Sequence, residues 1–279
     1  MIAALAGLII ADGWLDGSLF ASDSEPLVGV SATILTLLII LLVIPATGEL
    51  AQLISATGAH VFRATTTVAA ILLATCWYWP QFFGNSAKFQ LFYLLFVCSW
   101  AFLSLMLHQA AAFGADDAIK NCSANFFIIF YLGLLSSFFI GIRIDFGPWA
   151  LVLFIATIKS SDIGAYAIGK LFGRHKCTPK LSPGKTWEGL AGAIIFAVIA
   201  AYLFSRLCGI MSALEAVIFG AVFAIIGQMG DLAESLIKRD AGQKDASKAV
   251  PGFGGLLDIV DSPLVAGPLA YLFFMLAIG

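Results

Sequence analysis

The sequence predicts an all-α fold, a polytopic integral membrane protein of about nine transmembrane helices. Two observations carry that prediction. Hydrophobic residues make up 61% of the chain and charged residues only 11%, with a mean hydropathy of +0.98, whereas soluble domains carry roughly 25% charged residues. Apolar runs of about 17–22 residues also follow one another, each long enough to cross a ~30 Å hydrocarbon layer as a helix. The runs are continuous rather than alternating, which excludes a porin-like barrel. The net charge of −2 says less than where the charges sit.

Taken in order, the expected spans are 1–20, 27–44, 64–83, 89–107, 124–142, 148–172, 186–207, 212–229 and 254–278. The first is short, lacks a basic leader and runs into Asp12 and Asp16, so a cleaved signal peptide is not expected there. We expect the true first helix to begin upstream of Met1. Pro45 should stop the second span, and 47–63 should form an interfacial amphipathic helix. Trp77, Tyr78 and Trp79 mark an aromatic belt at the end of the third. Polar loops follow at 108–123 and 143–147, and a basic loop at 173–185. No boundary separates two domains. The expectation is one membrane domain, 1–279, with N-terminal helices over 1–147 and a chemically active half over 148–279.

Basic residues set the orientation. Ten of the fifteen Lys and Arg fall in two windows, 159–188 (Lys159, Lys170, Arg174, Lys176, Lys180, Lys185) and 231–261 (Lys238, Arg239, Lys244, Lys248). Two spans lie between the windows, so both face the same side. The positive-inside rule makes that side the cytoplasm, in a plasma-membrane protein.

The same two windows hold the residues able to do chemistry. In the first, Asp162, Tyr166 and Gly169 recur at i, i+4 and i+7, one face of a helix. Gly164 and Gly169 allow close approach of a second backbone. Ser182 followed by Pro183 is the pattern of an N-cap and first helical residue, which would aim free N–H groups at an anion. Gly184-Lys185-Thr186 is not a P-loop, because position 179 is Pro179 rather than Gly and no strand is expected before it. In the second window, Asp231, Ser235 and Lys238 share a face, and Asp258 and Asp261 project from one side of a helix start.

Carboxylates on adjacent helices suit a hard divalent cation, and nearby bases suit the phosphate oxygens such a cation does not reach. Simpler readings exist for single residues. Basic residues beside a span are often topogenic anchors, and Glu234 with Lys238 is an ordinary i, i+4 pair. Asp258 and Asp261 resist that reading, since an unpaired carboxylate within an apolar span costs at least ~2.5–3.5 kcal/mol. Arg206, Glu215 and Asp12 read as interface residues without a special role. His60, His108 and His175 are isolated, and the five scattered cysteines form no CxxC pair, so neither a zinc site nor a disulfide framework is expected.

Two stretches carry a family resemblance. Ser235-x-Ile237-Lys238-Arg239-x4-Lys244-Asp245-x-Ser247-x3-Pro251-Gly252-x-Gly254-Gly255-x2-Asp258-x2-Asp261-Ser262 closely resembles the signature of the phosphatidate cytidylyltransferases, also called CDP-diacylglycerol synthases. Asp162-x3-Tyr166-x2-Gly169-Lys170, with Ser182-Pro183-x-Lys185-Thr186-Trp187-Glu188-Gly189, resembles that family's second region. Phe253 stands where the family pattern usually has His, and Ile259 where it has Arg.

The resemblance implies transfer of a cytidylyl group from CTP to phosphatidate, giving CDP-diacylglycerol and pyrophosphate for phospholipid synthesis. It assigns catalysis to Lys185, Lys238, Arg239, Lys244 and Asp245. Substrate binding goes to Asp162, Tyr166, Lys170, Ser182, Ser235, Gly254 and Gly255. Asp231, Asp258 and Asp261 would ligate Mg²⁺, with room for a second cation. The implied partners are CTP, phosphatidate and the bilayer, and no nucleic acid. Small residues in the seventh span (Gly189, Gly192, Ala193, Ala197) can pack within one chain or between two, so a homodimer stays open. A CTP-dependent polyprenol or phytol kinase and a cation- or proton-coupled transporter are the alternative functions.

Overall fold

A computed structural model describes residues 2–19, 30–84, 87–179, 181–243, 247 and 255–278. Ten α-helices follow in order: α1 (Ile2–Leu15), α2 (Thr33–Ala56), α3 (Arg63–Ala74), α4 (Ala87–Ala112), α5 (Ala118–Ile128), α6 (Leu135–Asp145), α7 (Gly147–Phe172), α8 (Trp187–Cys208), α9 (Ala213–Asp240) and α10 (Leu257–Ala277). A single π-helical segment, Ile129–Leu134, joins α5 to α6, so Ala118–Asp145 forms one continuous rod. Among the described residues, seven helices are long and apolar enough to cross a membrane. All five cysteines are free thiols.

Two of the nine expected spans are shorter. The first is the 14-residue α1. The third is the 12-residue α3, followed by a separate 3-10 turn at Trp79–Phe83. Pro80 opens that turn, and the Trp79 indole donates to the Thr75 hydroxyl at 3.0 Å. The Thr75 hydroxyl also donates back to the Ile71 carbonyl at 2.9 Å, so the helix ends at Ala74 where composition alone would extend it.

Pro45 behaves in the opposite way. It does not stop α2, which continues for another eleven residues to Ala56, so 47–56 belongs to this helix and not to a separate interfacial one. A missing N–H is tolerated in apolar helices whose neighbours compensate.

The helices cluster into two compact units, interleaved along the chain. The first comprises residues 1–31, 142–236 and 261–279. Its central feature is the seam between α7 and α8, where glycines face each other. A Cβ on Gly164 would lie 2.5 Å from the Gly192 carbonyl oxygen, and one on Gly192 would lie 2.5 Å from the Ile168 Cβ. Ala193 and Ala197 of α8 pack there against Ala224 of α9. The small residues of this span are therefore used inside the chain. An aromatic cluster of Phe154, Phe219, Phe223 and Phe274, all fully buried, fills the unit elsewhere.

Asp12 proves to be more than an interface residue. The buried Arg143 guanidinium lies 3.0 Å from its carboxylate and 2.6 Å from that of Asp16. Desolvated charges persist in such a setting only when paired.

The second unit comprises residues 32–141 and 237–260. Asn125 organises its polar interior. Its side-chain oxygen accepts from the Phe62 N–H and the Thr66 hydroxyl, and its amide donates to the carbonyls of His60 and Asn121. Two free N–H and O–H donors at the start of α3 are thereby satisfied, as buried polar groups require.

Candidate active site

The first unit contains a cleft of about 310 Å³. Four elements line it: Asp162, Ala165 and Tyr166 of α7, Ser182, Gly184, Lys185 and Thr186 of a strand, Gly189 and Leu190 of α8, and Gln228 and Asp231 of α9. Five residues expected from sequence to serve the site (Asp162, Tyr166, Ser182, Lys185, Asp231) thus meet in one hollow. The glycine seam explains how. Gly169, Gly173 and Gly189 let α7 approach Thr186 and α8 closely, which holds the Asp162 face of α7 against the strand.

That strand corrects the expectation of a basic loop. Two strands, β1 (Lys176–Thr178) and β2 (Ser182–Thr186), form an antiparallel hairpin, pairing Lys176 with Thr186 and Thr178 with Ser182. Ser182 and Pro183 lie within β2 and do not cap a helix. The cap is Thr186, whose hydroxyl oxygen accepts from the Gly189 N–H at 3.0 Å. The reason is local: Glu188 accepts from the Arg174 and His175 N–H groups and from the His175 ring, which folds the basic segment back on the start of α8.

The charges in the cleft are tied to one another. Lys185 Nζ donates to Asp231 Oδ2 at 3.1 Å and to the Gln228 carbonyl at 2.9 Å. Lys159 donates to Asp162 Oδ2 at 3.0 Å, while Asp162 Oδ1 is buried without a hydrogen bond. The Ser262 hydroxyl donates to Asp231 Oδ1 and lies 3.4 Å from Asp261 Oδ1. Gly230 makes that approach possible, since a Cβ there would stand 2.9 Å from the Ser262 Cα. Asp261 is only 4% exposed, and Glu234, one turn along α9 from Asp231, is buried as well. Asp162 and Asp231 are thus each paired with a lysine, Lys159 and Lys185, and Asp261 meets Asp231 through the Ser262 hydroxyl.

The remaining expected residues are placed as follows. Lys238 Nζ donates to Asp258 Oδ1 at 2.6 Å within the second unit, and Asp258 Oδ2 accepts from the Gly255 N–H at 2.6 Å. Arg239 donates to the Gln243 carbonyl at 3.3 Å. Lys170 lies beside Tyr166, 3.2 Å from its hydroxyl, and Ser235 is half-buried on α9. Ile259 stands in the first turn of α10. Lys244, Asp245, Phe253 and Gly254 lie outside the described residues.

Sequence reasoning missed Gln228, whose backbone carbonyl has no signature in sequence, and the folding role of Glu188. It also missed Glu49, a buried carboxylate on α2 that a search for lone acids in apolar runs would have flagged.

The chain matches the cytidylyltransferase family over residues 25–277. It belongs to that family. Individual relatives align over a shorter stretch. A phosphatidate cytidylyltransferase of Haemophilus influenzae is 38% identical over 134 residues, 46% of this chain and 46% of the relative. One of Mycobacterium tuberculosis is 34% identical over 158 residues, 55% of this chain and 47% of the relative. The protein YnbB of Escherichia coli, described only as uncharacterized, is 44% identical over 128 residues, 46% of this chain and 43% of the relative. The chain thus spans about half the length of the curated relatives it matches.

In chemical terms the family site offers oxygen donors and bases. Among the described residues, no group of three His, Cys, Asp or Glu side chains is arranged to hold a metal ion. Asp231 and Asp261 nevertheless fit a Mg²⁺, which is usually bound through one or two carboxylates plus water and substrate phosphates. They flank one serine hydroxyl, which has a single proton to donate between two carboxylates.

Proposed function

We propose that this chain transfers a cytidylyl group from CTP to phosphatidate, forming CDP-diacylglycerol and pyrophosphate for phospholipid synthesis. The observation that carries the reading is the Lys185–Asp231 pair. It joins the two signature windows in one cleft large enough for part of a nucleotide, and it adds structural support to the names of the relatives.

In the reaction, a phosphatidate oxygen attacks the α-phosphorus of CTP in line. A new P–O bond forms, the bond to the β-phosphate breaks, and pyrophosphate leaves with its electron pair. A phosphate nucleophile needs little help from a base, so catalysis rests on positioning and on charge. Lys185 sits in the cleft to meet phosphate oxygens. Lys238, oriented by Asp258, together with Arg239 and Lys244, serves the leaving pyrophosphate and the lipid phosphate. Tyr166 and Lys170 at the exposed end of α7 suit the lipid headgroup. Mg²⁺, held by Asp231 and Asp261, would supply charge neutralisation on the nucleotide phosphates.

On this reading the chain crosses the plasma membrane nine times, with α1 and α3 as short spans, and presents its basic segments to the cytoplasm. The concentration of basic residues in two windows supports that orientation. Purified protein supplied with CTP, phosphatidate and Mg²⁺ should release pyrophosphate and liponucleotide in equal amounts, and a chelator should stop both. Lipid turnover indifferent to CTP would refute the reading.

A further inference from the structure

Glu49 lies in the C-terminal half of α2, far in sequence from either signature window, yet it touches one of them. Its carboxylate is 6% exposed. One oxygen accepts from the Leu256 N–H at 3.0 Å and from the Ser247 hydroxyl at 2.6 Å, and the other from the Leu257 N–H at 2.9 Å. All of these residues belong to the second unit.

Leu257 opens α10 and Leu256 immediately precedes it, so Glu49 caps that helix from 208 residues away. A helix start has N–H groups without intrahelical partners and a positive dipole end, and a carboxylate answers both. No Ser, Thr, Asp or Asn stands immediately before Leu257 to do this locally, since Gly255 and Leu256 precede it. Ser247 adds its hydroxyl to the same carboxylate oxygen as the Leu256 N–H. One residue later, Asp258 takes the Gly255 N–H and Lys238. The Glu49 contacts and the Asp258 contacts therefore interlock over four consecutive residues, 255–258.

We propose that Glu49 is a positioning residue for the transfer reaction: it fixes the register at which the signature segment enters α10, and through it the placement of Asp258 and Lys238. Glu49 touches neither substrate nor cation on this account. Its effect is transmitted through backbone. The inference rests on the cytidylyl-transfer reading.

The test compares wild type, Glu49→Met and Glu49→Gln as full-length purified protein, with Leu41→Ala, an exposed position of the same helix, as control. The steady-state constants for CTP and hydrogen exchange along the chain are measured together. Methionine keeps volume and removes both acceptor oxygens. Glu49→Met should lower kcat by about 10- to 100-fold, the scale of a small misplacement of reacting groups, and leave the KM for CTP within about threefold. Exchange at the Leu256 and Leu257 amides should rise while the α7 and α8 amides stay protected.

Glutamine keeps one acceptor oxygen for the amides and should recover most of kcat. Should Glu49→Met fail to fold, Ser247→Ala removes one bond only and should lower kcat in the same direction. Unchanged kcat in Glu49→Met, or in Ser247→Ala where that variant stands in, overturns the inference. So does exchange that rises uniformly over the chain, which marks a merely structural role. Absence of liponucleotide with wild type itself would overturn the functional reading, a distinct outcome.

Discussion

Lys185 Nζ holds both the Asp231 carboxylate and the Gln228 carbonyl, so its ammonium is fixed in the cleft before any substrate arrives. Charge that is already oriented costs no reorganisation when a phosphate oxygen develops negative charge, and this is where such groups contribute most to rate. Lys185→Met should lower turnover by about 10²- to 10³-fold, the range seen when one preorganised donor is removed. It also leaves Asp231 facing other carboxylates. The double variant Lys185→Met/Asp231→Asn should therefore melt at a higher temperature than Lys185→Met alone while remaining inactive. Thermal melts and turnover measured on the three proteins check both statements. Recovery of activity in the double variant would mean that the pair is structural.

At the scale of elements, the seam between α7 and α8 and the β hairpin decide where those side chains go. A Cβ on Gly192 has no room, with the Gly164 carbonyl oxygen at 2.6 Å and the Ile168 side chain at 2.5 Å. Gly192→Leu should destabilise the protein by about 1–3 kcal/mol, the usual cost of overpacking. It should also reduce activity in the fraction that stays folded, because Asp162 and Tyr166 move with α7. Gly184, in the hairpin, has nothing within 4 Å of its Cβ position, so Gly184→Ala should leave the melting temperature unchanged.

The common face of Asp162 and Tyr166 was legible from helical spacing alone, and so was the close approach at Gly164 and Gly169. The hairpin was not. Its strands hold only three and five residues, and Ser182-Pro183-Gly184-Lys185 shows no alternation of apolar and polar positions. Its shape comes from backbone bonds and from Glu188. Pro45 misled for a related reason: the rule that proline ends a helix is weaker where other helices satisfy the backbone.

At the scale of the whole molecule, the membrane class and the cluster of chemistry in two windows could be read from composition and spacing. The partners across long separations could not. Glu49 with Leu257 and Arg143 with Asp16 are 208 and 127 residues apart, and a lone acid in an apolar run does not name the group it meets. Orientation is open to direct measurement. A cysteine introduced at Arg174, just before the hairpin, in a variant lacking the five native cysteines should react with a membrane-impermeant maleimide only when the cytoplasmic side is exposed. Labelling of intact cells would reverse the assigned topology.

The central claim is the transfer itself, and the position of the label in the product decides it. Purified protein is given phosphatidate, Mg²⁺ and CTP labelled with ³²P at either the α- or the γ-phosphorus, and the lipid fraction is counted. Cytidylyl transfer predicts lipid label from α-³²P and none from γ-³²P. Label entering lipid from the γ-phosphorus alone would make the protein a CTP-dependent lipid kinase and contradict the account.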